Sequence, residues 1–509
     1  MIAGFCALAV AELAAALVRP EAGPVTAVGG AVIDRTPPAV REFAVRNFGT
    51  SDKLVLQLGI LILLALFAMA IGVLALRHRR MGSAAVLVLG LVGAVAAAGR
   101  PEGGPADALP SVVGAAVAVA VLYLLVGRLA PAPLPAAGER EQGGDGGFDR
   151  RGFVVAAATT AAASAGAGLL GRRLTSSVQA GAWASRHDLV LPAPRSAAPA
   201  LPAGADLRIP GLSPFITPNK DFYRVDTALV VPRLDAAAWR LRIHGAGVAR
   251  PVTVGLHDLL RRETVERDIT LACVSNEVGG PLVGNARWLG VRLGDLLRDA
   301  GVRPPSKGGP ADQLVARSVD GMTIGTPVET VMDGRDAMLA FGMNGEPLPF
   351  EHGFPVRMVV PGLYGYVSAC KWIADIELTT FAAYDAYWVR RDWAQQAPVK
   401  TESRIDTPRP LASPKAGPVP VAGVAWAQHR GISRVEVRVD DGKWHMARLA
   451  AADTRDTWRQ WVWEWPATPG RHTLQVRATD GTGATQTGTR TDTVPDGATG
   501  WHSVVVDVS

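Results

Sequence analysis

The sequence predicts an α-helical membrane anchor of about five spans, followed by an α+β domain and a C-terminal β-sandwich of immunoglobulin-like type. Three observations predict it. Apolar helical runs crowd the first 171 residues, short strand and helix patterns mix irregularly through 206–408, and strict alternation governs 409–509. Hydrophobic residues make up 48% of the 509-residue chain, and that excess is concentrated at the front.

Four apolar stretches, 2–18, 54–76, 83–98 and 111–126, lie within residues 1–130. Each approaches the roughly 20 residues that span hydrocarbon, the first and third being short. Arg77-His78-Arg79-Arg80 lies between the second and third stretches, and positive-inside bias makes it cytoplasmic. Arg128, Arg140, Arg150 and Arg151 then fall on the same side. A basic linker and a fifth span occupy 131–171. That span opens on Asp149-Arg150-Arg151-Gly152-Phe153, which is similar to a twin-arginine export signal and equally to an ordinary basic flank. Either reading places the rest of the chain outside a cytoplasmic membrane, with lipid as a partner. His78 is the sole histidine before Arg186. Membrane haem generally needs paired axial ligands within helices, so no haem is expected there.

Residues 172–205 are rich in Ala, Pro and Ser and read as a tether. In 206–408, Trp239 to Ile243 alternates as a strand, 256–262 and 293–300 read as short helices, and 357–360 is another strand. Helices and strands do not alternate regularly enough for a doubly wound sheet. After a linker at 407–420, Val435, Val437 and Val439 alternate with charged residues, and Asp441-Gly442 offers a hairpin turn. Trp461, Trp463 and Trp465 recur at period two, a stripe better suited to core or interface than to a ligand.

Composition excludes several classes. A net charge of +6 with no compact basic run interleaved with aromatics argues against nucleic acid as a partner. Three cysteines, Cys6, Cys273 and Cys370, in no CxxC or Cys/His spacing argue against a disulfide scaffold, a zinc site, Fe–S clusters and CxxCH haem attachment.

Cys273 ends an apolar strand-like segment and opens into a polar turn, Cys273-Val274-Ser275-Asn276-Glu277-Val278-Gly279-Gly280. A lone cysteine is most often inert packing, but a thiolate on a loop at a strand end also suits a sulfur-preferring metal. The surrounding motifs decide between these. Phe222-Tyr223-Arg224-Val225-Asp226, the Cys-x-x-Asn of Cys273 and Asn276, and Ala286-Arg287-Trp288-Leu289-Gly290 come first. Met343-Asn344-Gly345-Glu346-Pro347-Leu348-Pro349 follows, running through Glu351-His352-Gly353-Phe354-Pro355-Val356-Arg357 to Lys371-Trp372. Together they resemble the molybdopterin domain of the sulfite oxidase family, over roughly 217–408.

That resemblance implies a molybdenum–molybdopterin cofactor, with Cys273 as metal ligand and catalytic centre. It further implies cofactor contacts from Tyr223, Arg224, Asp226, Asn276, Asp320, His352, Arg357 and Lys371. Arg224 and Trp393 join Cys273 as expected catalytic residues. The resemblance also implies a possible homodimer and a separate electron-transfer partner, a cytochrome or a quinone-linked protein.

Three departures bear on the small-molecule substrate. Val278 stands where the family carries an arginine that receives an anion, Asp226 replaces a histidine, and Trp393 takes the place of a tyrosine. The expected activity is therefore two-electron oxo transfer, directed at a sulfoxide-like substrate, with sulfite oxidation as the alternative. A cofactor-free binding protein on a degenerate enzyme scaffold is the reading from another class.

Overall fold

The computed structural model describes residues 1–36, 40, 52–100, 103–129 and 150–509. The basic linker expected at 131–149, Arg140 included, lies outside the described residues. Two compact units emerge, Met1–Gly181 with Thr227–Val231, and Ala182–Asp226 with Pro232–Ser509.

The first unit is helical: α1 (Ile2–Val18), α2 (Pro24–Arg35), α3 (Asp52–Arg77), α4 (Arg79–Ala98), α5 (Leu109–Leu129) and α6 (Arg150–His187). Four described helices are long and apolar enough to cross a membrane, spanning Leu54–Arg77, Arg79–Ala98, Pro105–Leu129 and Arg150–His187, whereas Ile2–Val18 is shorter. Small residues let the helices approach closely. A Cβ on Gly114 of α5 would come within 2.7 Å of the Ala7 carbonyl on α1. Cys6 is buried in the cluster these helices form with Val121, Leu122 and Leu125. Arg19 pairs with Asp107 at 2.7 Å.

Two expectations are corrected here. The helix that opens at Arg150 continues past 171 to His187, since the segment from Arg172, rich in Arg, Ala and Ser, contains no proline. Nor is the remainder a loose tether. Arg195 and Ser196 donate backbone hydrogen bonds to the Thr264 carbonyl, so that segment lies against a strand.

The second unit holds four sheets. The first takes β1 (Arg240–Gly245), β2 (Val252–Gly255), β5 (Gln313–Ser318), β6 (Thr323–Pro327) and β10 (Ile373–Thr379) in the order β2-β1-β10-β5-β6. Only β1 and β10 run parallel within it, consistent with an α+β domain. The second takes β3 (Thr264–Ala272), β4 (Val283–Arg292), β7 (Met338–Met343) and β8 (Glu346–Pro347), with β9 (Arg357–Val359) paired to β7. Short helices α7 (Leu256–Leu260), α8 (Leu293–Asp299), α9 (Val328–Met332) and α10 (Gly365–Ser368) connect strands.

The C-terminal part is two four-stranded antiparallel sheets. One is β11 (Glu402–Thr407), β12 (Gly417–Trp426), β16 (Arg459–Ala467) and β15 (Arg448–Leu449). The other is β14 (His445–Met446), β13 (Ile432–Val439), β17 (Gly470–Asp480) and β18 (His502–Val508). Val435, Val437, Trp461, Trp465, Leu474, Val476, Val504 and Val506 share one core between them. Strand β11 precedes the boundary expected at 408, because the proline-rich segment after it resembles a linker but connects two strands of one sheet.

Candidate functional site

Cys273 is the first residue after β3, and the loop it opens returns to β4 at Val283. The loop is closed at its neck. Cys273 N–H donates to the Leu282 carbonyl at 2.9 Å, Asn276 N–H donates to the Cys273 carbonyl at 3.1 Å, and Leu282 N–H donates to Asn276 Oδ1 at 2.8 Å. Cys273 is 8% exposed, with its sulfur near the Ser275 hydroxyl. Burial pushes its thiol up, while the N–H and hydroxyl of Ser275 and the charge of Lys371 oppose the shift.

Cations gather beside this sulfur. Asp226, 3% exposed at its side chain, accepts from Arg224 Nε and from Lys371 Nζ, each at 2.8 Å. Burial first, then Arg357 and Arg224, draw Lys371 down to about 8 against the pull of Asp226. Arg357 is buried on β9 over the Trp288 ring at 5.0 Å, and donates to the carbonyls of His352 and Ala369 at 3.2 and 3.4 Å. Burial lowers it to about 10. Its Nε has no acceptor among the described residues.

His352 is buried, and burial together with Arg357 lowers it to about 4, so the imidazole is neutral at pH 7. Its Nε2 lies 3.0 Å from the Asn219 carbonyl and must therefore carry the proton, leaving Nδ1 as an acceptor. Asn219 is itself held, since Asn344 Nδ2 donates to its Oδ1 at 2.8 Å. The first loop and the Met343–Pro349 turn are thus one hydrogen-bonded piece. Phe222 sets the next residue's direction, packing against Trp288 and His352 and stacking on Tyr223 at 5.2 Å. Burial, with the Cys273 sulfur as the next cause, holds the Tyr223 hydroxyl well above the usual phenol range.

The fold therefore brings Tyr223, Arg224, Asp226, Cys273, Asn276, His352, Arg357 and Lys371 into one neighbourhood. Asp320 is buried next to Cys370, whose thiol burial raises, with Asp320 the next cause. Cys273 and Cys370 are both free thiols. Trp393 belongs to a different contact set, packed on Tyr366 and Trp388 with ring centroids 5.7 and 6.2 Å away. Its link to the loop runs through α10, where a Cβ on Gly365 would lie 3.7 Å from both the Tyr223 hydroxyl and the Ala272 carbonyl. Arg391 lies on the Tyr387 ring at 3.6 Å.

Sequence reasoning missed the support under the loop. Arg404 on β11 donates to the Gly280 carbonyl at 2.8 Å, and its Nε binds Asp406 at 2.6 Å. His502 on β18 lies so close to Gly279 that a Cβ there would fall 2.0 Å from its Cδ2. Gly279 also takes a φ of +82°, which glycine adopts without steric cost. The signal for Arg404 and Asp406 was their alternation with Ser403 and Ile405, visible only once β11 is known to be a strand.

These residues fit a molybdopterin on chemical grounds. A soft sulfur donor adjoins an excess of buried cation, and Arg357 Nε lacks the acceptor that an anionic group would supply. Comparison with known proteins agrees. Residues 228–388 match the family described as "Oxidoreductase molybdopterin binding domain". The chain is 30% identical over 306 residues to "Sulfite oxidase, mitochondrial" of Homo sapiens, covering 52% of this chain and 55% of that one. It is 35% identical over 201 residues to "Nitrate reductase [NADH] 1" of Oryza sativa subsp. japonica, covering 35% and 21%. Among solved structures, the sulfane dehydrogenase SoxCD of Paracoccus pantotrophus aligns at 26% identity and a TM-score of 0.49, covering 58% of this chain and 84% of that one. The chain spans about half the length of the human relative.

Residues 228–388 thus form a molybdopterin-binding domain of the oxidoreductase type. More specifically, a 306-residue stretch of the chain is similar to sulfite oxidases.

Proposed function

We propose that this protein is a membrane-anchored enzyme that oxidises a small sulfur oxyanion of the sulfite type outside the cytoplasmic membrane. The observation carrying this reading is the closed Cys273 loop beside Arg224, Arg357 and Lys371. Oxidation of sulfite balances as sulfite plus water giving sulfate, two protons and two electrons. The electrons pass to a separate carrier, a cytochrome or quinone-linked protein. When bound, the molybdenum–pterin group supplies two-electron oxo-transfer chemistry through a metal held by sulfur.

The chain's own residues have distinct tasks. Cys273 would ligate the metal, and Asn276 keeps its loop closed. Arg357 and Lys371 would balance the charge of an anionic group on the cofactor, with the Arg357 fork offering Nε. Neutral His352 would offer Nδ1 as an acceptor to the cofactor, and Asp320 would offer a further acceptor. Asp226 fixes the directions of Arg224 and Lys371, leaving Arg224, 30% exposed, the cation best placed to meet an anionic substrate. Tyr223 stays protonated beside Cys273 and would be a donor there, while Trp393 forms an aromatic cluster with Tyr366 and Trp388.

The location is supported by Arg77-His78-Arg79-Arg80 at one end of α3 and α4 and by Arg150-Arg151 at the start of α6. A second reading, reduction of a sulfoxide-like substrate, is favoured by Val278 in place of an arginine and by the exposed carboxylate of Glu277 on the same loop. A cofactor-free binding role is disfavoured by retention of Cys273, His352, Arg357 and Lys371 together. The test is metal and pterin quantification on the detergent-purified protein, then steady-state assays. Sulfite with an oxidised dye should turn over, and a sulfoxide panel with a reduced dye should not. The opposite pattern selects the second reading, and a protein without molybdenum or pterin overturns both.

A further inference from the structure

Strand β11 points two side chains at the Cys273 loop. Glu402 and Arg404 lie on one face, whereas Ile405 enters the core of the C-terminal sheets. Arg404 reaches Gly280, and Glu402 reaches the other end of the loop at Asn276. Asn276 Nδ2 is buried beside the Glu402 carboxyl without closing a well-formed hydrogen bond to it. Tyr364 O–H donates to Glu402 Oε1 at 3.4 Å.

An ionised carboxylate there would lack a free counter-ion. Lys400, next along the chain, pairs with Asp496 at 2.8 Å, and Arg404 is engaged by Asp406. Tyr364 is held neutral by burial, with the Glu402 charge as the next cause. Glu402 is 5% exposed, and burial raises its carboxyl to about 8, opposed by Tyr364, Lys400 and Asn276. The geometry and the charge inventory agree that it is a neutral acid at pH 7.

We propose that Glu402 is a positioning residue for the metal-binding loop, a neutral carboxylic acid that receives the Asn276 amide and whose ionisation loosens the loop. The inference deepens the reading above, in which Cys273 is the metal ligand. It also gives the C-terminal sheets a role at the site, since the acid enters from their first strand. A charged carboxylate draws water into the contact, and the Asn276 turn that closes the Cys273 neck opens with it.

The test uses the full chain produced in a host unable to make the pterin, so that Cys273 carries no metal. Its alkylation by N-ethylmaleimide is followed by peptide-resolved mass spectrometry from pH 6.5 to 9.5. The ratio of the wild-type rate to the Glu402→Gln rate removes the thiol's own titration. It should be near one at pH 6.5 and rise at least fivefold by pH 9.5. Glu402→Met, which lacks the acceptor, should react faster than Glu402→Gln at every pH. A flat ratio, or a Glu402→Met rate equal to that of Glu402→Gln, overturns the proposal. Because no cofactor takes part, this outcome is separate from failure of the molybdenum reading, which is decided by metal content in a cofactor-competent host.

Discussion

Asp226→Ala removes the acceptor shared by Arg224 and Lys371, and the cost can be worked through from their surroundings. Removing one member of a buried ion pair costs about 3–5 kcal/mol. Arg224, 30% exposed, can turn toward water, so its share is small. Lys371, 11% exposed, cannot turn away but can lose its proton. Its folded value of about 8 lies below the ordinary 10.5, so its burial already costs stability as pH falls below 10.5. At about 1.36 kcal/mol per pKa unit, that existing cost is roughly 3.4 kcal/mol at pH 7, and a fully neutral amine caps it at roughly 4.8. The additional Lys371 penalty is therefore about 1.4 kcal/mol at pH 7 and close to zero at pH 9.5. With the lost hydrogen bonds, the expected total is about 3 kcal/mol at pH 7, or roughly 6–12 °C in melting midpoint. All 13 tryptophans lie at or beyond Trp183, so fluorescence melting of the detergent-solubilised chain reports the second unit alone. The deficit should shrink by about 1.4 kcal/mol between pH 7 and 9.5. An equal deficit at both pH values, or none, refutes the argument.

Cys273→Ser keeps the shape of the side chain but replaces a soft donor with a hydroxyl. Molybdenum should fall from about one per chain to below about a tenth, and turnover should vanish, with the melting midpoint moved by less than about 2 °C. Gly279→Ala places a methyl against His502 at a φ of +82°, so it should destabilise the second unit by about 2–4 kcal/mol in the same melt. For Glu402 the folded value of about 8 lies above the ordinary 4.5, so its stability contribution is full below pH 4.5 and is lost as pH rises through 8. Glu402→Gln should therefore match the wild type at pH 4.5 and exceed it by about 3 kcal/mol at pH 7, measured as the difference between the two melting curves.

Much of the site was legible because its residues come in runs. The segment from Met343 to Arg357 carries turn residues, a histidine and an arginine in fixed order, and the structure shows why. Asn344, at a φ of +53°, ties the turn to Asn219 and Thr217, and the same stretch delivers His352 and Arg357 to one place. The strands of the C-terminal sheets were legible for a different reason. Alternation such as Val435, Val437, Trp461 and Trp465 is local, and a half-buried strand imposes it directly. The end of α6 was misread because the lack of a helix breaker is a weak signal beside a composition that suggests a tether.

The sequence by itself determined which chemistry this protein can hold: a lone thiol at a strand end, a set of basic residues in order, and apolar segments of spanning length. Those properties depend on residue type and short-range period. Tertiary structure alone decided which charges survive burial and which elements support the loop. Asp226 takes two cations while Arg357 Nε keeps none, and Glu402, Arg404 and His502 reach the Cys273 loop from strands more than a hundred residues away. Desolvation and charge pairing act through space, so their outcome is fixed only when the chain has folded.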